Sequence, residues 1–141
     1  MKKDIKLSEP FFFGREKINI GKCFSDKWIS ASGKFNLIFE NKIKKLINAK
    51  HAISCINCTS ALQLSVRILN PNPGDEIIVP SITFISTVNA VIYNNCSPIF
   101  LDCKSDYLID EENVINFLKN GTFTKKGYCY NKKTKKRIIS I

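Results

Sequence analysis

The sequence predicts an α/β fold, a parallel-rich sheet flanked by helices, of which only part is present. Three observations carry that expectation. Strand-length apolar runs alternate with segments of helical period along most of the chain, the order from which parallel sheets are assembled. The joints between them are short and hold Pro, Gly and Asn, which stop one element and turn the chain toward the next. The final run, Ile138-Ile-Ser-Ile141, reads as a fresh core strand with no capping turn or covering helix behind it, so the sheet is expected to be incomplete.

In chain order, Leu7 to Gly14 is extended, because Pro10 keeps Glu9 out of helical backbone. Arg15 to Phe24 forms a short helix with Ile18, Cys23 and Phe24 roughly along one side. Ser25 to Gly33 is a loop of small polar residues around the only tryptophan, Trp28, which is either a lid over the core or a ligand contact. From Lys34, the residues Phe35, Phe39, Ile43 and Leu46 recur at helical spacing, with Lys34, Lys42, Lys44 and Lys45 on the outer face. Ala52 to Ile56 reads as a buried strand, broken at Asn57-Cys58 and followed by a helix that opens at Thr59-Ser60. Ala61, Leu62, Leu64, Ser65, Ile68 and Leu69 cover more than one face of that helix, so it is expected to be well buried.

Pro71 to Asp75 turns the chain into a strand at Glu76–Pro80. Ser81 to Phe84 is a polar-aromatic loop, Ser86 to Tyr93 a helix, and Pro98 to Asp102 a further strand. Asp110 is placed to cap a helix running to Lys119, with Glu111 and Glu112 at its positive end. Tyr128 to Tyr130 and Arg137 to Ile141 then form two strands joined by a Lys-rich turn.

The joint at Asn57 to Ser60 is where function is expected. A strand that runs through a tight turn into a helix sets the first helical amides at the strand's carboxyl end, where parallel α/β sheets bind ligands. Unpaired N–H groups and the positive end of the helix dipole suit a phosphate. The hydroxyls of Thr59 and Ser60 either cap the helix or bond to a phosphate oxygen.

Composition narrows the rest. With 141 residues, 44% of them hydrophobic, the chain is long enough for one domain with a real core. No apolar run reaches the roughly 18 residues of a transmembrane helix, and the N-terminus lacks the apolar region of a signal peptide, so the chain is read as cytoplasmic. Six cysteines in such a chain are read as reduced and buried, not as a disulfide framework. Cys55-x-x-Cys58 has half of a zinc spacing, but the lone His51 and the distant Cys96 and Cys103 supply no second ligand pair. A redox motif needs its first Cys at the helix start, whereas Cys55 falls within the expected strand. The net charge of +10 is uneven: no acid follows Glu112, while seven Lys and Arg137 crowd the tail, read as a solvated basic hairpin.

Asn57-Cys-Thr-Ser-Ala-Leu62, Pro73-Gly-Asp-Glu-Ile-Ile-Val-Pro80, Thr83-Phe84, Asn89-Ala90 and Pro98-Ile-Phe-Leu-Asp102 together resemble the DegT/DnrJ/EryC1/StrS family. These are pyridoxal-phosphate-dependent sugar aminotransferases of the aspartate-aminotransferase fold. The likeness begins at Leu7-x-x-Pro10 and runs through Trp28-Ile-Ser30, Gly33 and Phe39-Glu40. The tail Cys129 to Arg137 is similar to the insert of a subgroup that aminates nucleotide-linked 4-keto-6-deoxy sugars for bacillosamine- or legionaminic-type surface sugars.

The resemblance implies roles. The chain corresponds to the N-terminal part of the large domain of the type I fold: residues 1–33 are an arm, short helix and substrate-side loop, and 34–141 a partial cofactor-binding domain with a basic hairpin at 125–141. Thr59 and Ser60 match the residues that hold the cofactor phosphate, and Phe84 the ring stacked on the pyridine. Trp28 and Ser30 match a loop beside the sugar site, often completed across a dimer. The complete enzyme would move an amino group, with glutamate the expected donor, onto a 4-keto sugar nucleotide, and a few relatives are dehydratases with His in place of the lysine. That Schiff-base lysine and the Asp that pairs with the pyridine nitrogen match nothing here, so this chain is expected to be inactive alone. Two departures stand out: Cys58 and Lys27 occupy positions where relatives often have Gly, with a crowded phosphate approach and an altered loop as the expected consequences. Two other functions fit the residues, a basic nucleic-acid-binding module built on the tail and a non-catalytic remnant.

Overall fold

A computed structural model describes residues 5–141; the first four residues of the expected 1–33 arm lie outside them. The chain forms two compact units, Met1–Ser54 and Cys55–Ile141.

The first unit carries helices α1 (Arg15–Ser25) and α2 (Lys34–Leu46). α1 ends in a full left-handed stop. The Lys27 amide donates to the Phe24 carbonyl and the Trp28 amide to the Cys23 carbonyl, each at 3.0 Å, with Lys27 at φ 55°. The position where relatives favour Gly is therefore one whose backbone favours Gly, and Lys27 adopts that backbone regardless. Gly33 then caps α2, and a Cβ there would lie 3.1 Å from the Trp28 ring, so the glycine lets the indole lie against the start of α2.

The second unit is built on a five-stranded sheet in the order β2-β1-β5-β4-β3. β1 (Glu76–Pro80) pairs in parallel with β2 (Ser97–Leu101) and β5 (Arg137–Ser140). β4 (Tyr128–Asn131) runs antiparallel between β5 and β3 (Thr122–Lys125). The expected α/β sheet is present, mixed rather than uniformly parallel. The β3 strand was missed in the sequence because its only large apolar residue is Phe123.

Ile77, Ile78 and Val79 are all buried, as a strand covered on both faces requires. Ile77 and Val79 pack with Val91 and Cys96, with Val66 and Ile139 against them. Helices α3 (Cys58–Ile68) and α4 (Ile85–Tyr93) are locked together by the buried Asn94, whose amide donates to the Ala90 carbonyl at 2.9 Å and the Gln63 carbonyl at 3.1 Å. Helix α5 (Glu111–Asn120) is capped by Asp110, whose Oδ1 accepts from the Glu112 and Asn113 amides at 3.0 and 3.2 Å.

The acids that open β1 tie the sheet together. Asp75 receives the Arg137 guanidinium on both oxygens, with Nε at 3.2 Å from each, and the Asn72 amide at 2.8 Å. Glu76 accepts from the Asn131 side-chain amide at 2.9 Å, while Asn131 Oδ1 accepts the Lys133 amide, also at 2.9 Å. Both carboxylates are buried and both are partnered, which is what makes their burial tolerable.

Three expectations are corrected. Ala52 to Ile56 is not a strand: no described segment forms a ladder with it, and the Ser54 amide donates instead to the Glu40 carboxylate at 2.8 Å. An apolar run becomes a strand only when a neighbour takes its backbone groups. α3 is not well buried, since none of its residues is fully enclosed and Leu64 and Ile68 lie exposed. Of the six free cysteines only Cys96 is buried, and Cys58 is exposed.

Candidate functional site

The first turn of α3 holds both Thr59 and Ser60. Asn57 is the N-cap, with extended backbone, and its Oδ1 accepts the Ser60 amide at 2.8 Å. The Asn57 carbonyl takes the Ala61 amide at 3.2 Å. Capping therefore falls to neither Thr59 nor Ser60. Among the described residues their hydroxyls make no hydrogen bond, and the Cys58 and Thr59 amides at the positive end of the helix also have no partner. Two N–H groups and two O–H groups without partners thus lie within one helical turn, a donor set of the kind that suits a phosphate.

Cys58 is the first helical residue, and its φ is not positive. A glycine is not conformationally required there, so the departure leaves the turn intact. Its thiol is free and exposed.

Phe84 is the N-cap residue of α4, four residues beyond the end of β1, and its ring is 79% exposed. The loop that carries it is held by Ser81, whose amide donates to the Leu101 carbonyl at 2.8 Å, and by a 3.0 Å bond between the Thr83 and Thr87 hydroxyls. An open aromatic face at the carboxyl end of a parallel strand is a fitting platform for a flat heterocycle. Since α3 packs on α4, the start of α3 and the Phe84 ring belong to one helical layer of the second unit.

Trp28 and Ser30 lie in the first unit, both exposed. They line a hollow of about 540 Å³ with Cys23, Phe24, Ile29 and Phe35 among its walls. The hollow is mostly apolar, with Asp26 at its rim paired to Lys34. Glu40, further along α2, is held below the usual carboxylate range, first by the Ser54 amide and then by the Ser54 hydroxyl, each donating at 2.8 Å.

Sequence reasoning missed Asn57 as the cap and the partners of Asp75 and Glu76. The first had a readable signal, an Asn three residues ahead of Ser60 at the start of a helical pattern. The second had none, because the partners are far apart in the chain. Among the described residues no three His, Cys, Asp or Glu side chains converge as a metal site would require, and no helix is long and apolar enough to cross a membrane.

A mixed α/β sheet with unpartnered donors at the start of α3 and an exposed aromatic ring at the start of α4 is an arrangement compatible with a phosphate-bearing ligand. The chain belongs to the DegT/DnrJ/EryC1/StrS aminotransferase family, whose family model matches residues 14–126. It is 38% identical over 98 residues to the GDP-perosamine synthase of Caulobacter vibrioides, covering 70% of this chain and 26% of that protein. The GDP-perosamine synthase of Escherichia coli O157:H7 is 36% identical over 104 residues, covering 74% of this chain and 29% of that protein. A solved DegT DnrJ EryC1 StrS aminotransferase from Brucella abortus superposes with a TM-score of 0.69 at 28% identity, over 75% of this chain and 28% of that one. The chain spans between a quarter and three tenths of the length of these relatives.

Proposed function

We propose that this chain supplies the phosphate seat and ring platform of a pyridoxal-phosphate-dependent aminotransferase that aminates a nucleotide-linked 4-keto-6-deoxy sugar in surface-glycan biosynthesis. The observation that carries the reading is the capping of α3 by Asn57, which leaves the Thr59 and Ser60 hydroxyls and two amides without partners. Pyridoxal phosphate, when bound, supplies the electron sink and the carbonyl that exchanges with an amino group. The chain's own residues have narrower tasks. Thr59 and Ser60 hold the phosphate, Phe84 covers one face of the ring and keeps water from it, and Trp28 and Ser30 border the sugar. The arm and loop of 1–33 serve the substrate side, and 34–141 serve the cofactor side, with the strands of the 125–141 hairpin lying between β1 and the edge strand β3.

No lysine of the chain is assigned as the catalytic base, and no Asp is assigned as the partner of the ring nitrogen. Those roles belong to the larger part of the protein that the relatives possess and this chain does not span. By the same reading the chain is inactive alone, glutamate is the donor and the complete enzyme is a cytoplasmic homodimer; the position whose lysine or histidine separates transamination from dehydration matches nothing in this chain. The names of the two relatives favour a GDP-linked sugar. The tail at Cys129 to Arg137 favours the bacillosamine- or legionaminic-type subgroup; turnover of GDP- and UDP-linked 4-keto sugars by a complete enzyme carrying these residues decides between them.

The cofactor assignment is testable on the chain itself with pyridoxine 5′-phosphate, which lacks the aldehyde and cannot condense with surface lysines. Calorimetry should show binding that pyridoxine without its phosphate does not reproduce. Thr59→Ala should weaken it by about tenfold, the value of one hydrogen bond to a charged group. Equal binding of the phosphorylated and unphosphorylated compounds overturns the assignment.

A further inference from the structure

The face of the sheet that α3 and α4 bury at β1 carries a different surface at its other edge. In the β3–β4–β5 register, Phe123 lies opposite Tyr130, Tyr130 opposite Arg137, and Lys125 opposite Tyr128. Side chains alternate along a strand, so these residues share one face of the ribbon, while Cys129, Asn131 and Ile138 turn to the other. Phe123 and Tyr130 are stacked, with centroids 5.5 Å apart, and the Lys135 ammonium stands 5.6 Å above the Phe123 ring. The stacked pair walls a hollow of about 500 Å³ that is otherwise lined by Lys125, Lys126 and Lys135.

The charge of this hollow is uncompensated. No acid follows Glu112 in the sequence, and among the described residues none of the three lysines has a carboxylate partner. Arg137 differs, since its charge is already taken by Asp75. Two of the lysines also occupy backbone that Asn or Gly adopts with less strain. Lys126 opens the two-residue hairpin turn at φ 50°, and Lys135 sits at φ 61°. Lysines set at strained turn positions around a half-buried ring pair are more than a solvated surface requires.

We propose that this hollow binds a nucleoside diphosphate, its base against the Phe123–Tyr130 wall and its two phosphates against the ammonium groups of Lys125, Lys126 and Lys135. The aromatic wall provides a stacking surface for any base, and the three cations match a diphosphate in charge. The site is distinct from the α3–Phe84 region: β3 lies three strand steps from β1, about 14 Å across the sheet. The ligand is either a free nucleoside diphosphate or the same group within a nucleotide sugar.

The test is calorimetric titration of the 141-residue chain with UDP and GDP at physiological salt, beside inorganic pyrophosphate, a nucleotide sugar and a ten-nucleotide single-stranded RNA. One-to-one nucleotide binding is expected, at least tenfold tighter than pyrophosphate. Lys125→Gln with Lys135→Gln should weaken it at least tenfold, and Tyr130→Leu should bring the nucleotide down to the pyrophosphate level. Lys126→Asn, which suits the turn and protects the fold, should weaken binding at least threefold without lowering the unfolding midpoint. Retained binding of the nucleotide sugar assigns the group to that source, and its loss assigns it to the free nucleotide. Pyrophosphate binding as tight as nucleotide, RNA binding that neither nucleotide displaces, variants without effect, or no saturable binding would each overturn the proposal.

Discussion

Replacing Arg137 by Met isolates a carboxylate at the buried start of β1. Asp75 is 6% exposed and holds the guanidinium on both oxygens, with the Asn72 amide as its one remaining hydrogen-bond donor among the described residues. Breaking a fully buried pair costs about 3–5 kcal/mol. The Arg137 side chain keeps 19% of its surface in solvent against 7% for Asp75, so water can partly replace the lost donors and the expected loss is about 2 kcal/mol. Methionine keeps much of the aliphatic stem, so this loss reports the ionic contacts more than the packing. Urea unfolding of the parent chain, Arg137→Met, Asp75→Asn and the double variant, followed by circular dichroism, completes a double-mutant cycle. The two side chains should couple by about 1.5 kcal/mol, with the double variant more stable than the sum of single losses implies. Coupling below about 0.5 kcal/mol would mean that the pair behaves as a solvated surface contact, and the account of how β5 is held to β1 would fall.

Four further outcomes follow from the local geometry. Lys27→Gly should raise stability by about 1 kcal/mol, because the φ of 55° strains any side chain; a lower unfolding midpoint would contradict the left-handed stop. Asn57→Ala should cost about 1 kcal/mol while Thr59→Ala costs little, and the reverse order in thermal unfolding would make Thr59 the cap after all. Iodoacetamide should alkylate the exposed Cys58 early and Cys96 last, since burial and then the Asp75 charge push the Cys96 thiol pKa up; mass spectrometry showing Cys96 modified first contradicts this packing. Glu40 has a folded pKa lowered by Ser54, so its stabilising contribution is present above the unfolded value of about 4.3 and fades as pH falls through the lower folded value. The Ser54 amide resonance should therefore inflect below about pH 4.3, and an inflection at or above that value refutes the contact.

What could be read in advance depended on how local the cause was. Glu76–Pro80 was legible because its apolar run is bounded by a turn, and Asp110 because a cap acts on amides two and three residues ahead. Ala52 to Ile56 carries the same strand signal yet forms no ladder, since strand character lies in the partner as much as in the residues. Thr59 was placed at a helix start from sequence and stands in the first turn of α3, whereas Phe84, read as the end of a loop, is the N-cap of α4. Which residue caps α3 depended on the choice between Asn57 and its neighbours, a difference of one backbone conformation. The Asp75–Arg137 pair, 62 residues apart, was visible only as two unrelated charges.

That separation also sets an order of events during synthesis. β1 meets β2 about 20 residues later but must wait about 60 for β5, and the longer loop adds only about 1 kcal/mol of closure entropy. Time is the greater burden. At about 5–20 residues per second, a nascent chain carries Ile77, Ile78 and Val79 with one flank unpaired for roughly 3–12 s. An open apolar strand is a template for the wrong neighbour, including the same strand of another nascent chain. The guanidinium of Arg137, first residue of β5, ends that interval by selecting one register through a carboxylate that has been waiting since β1 emerged.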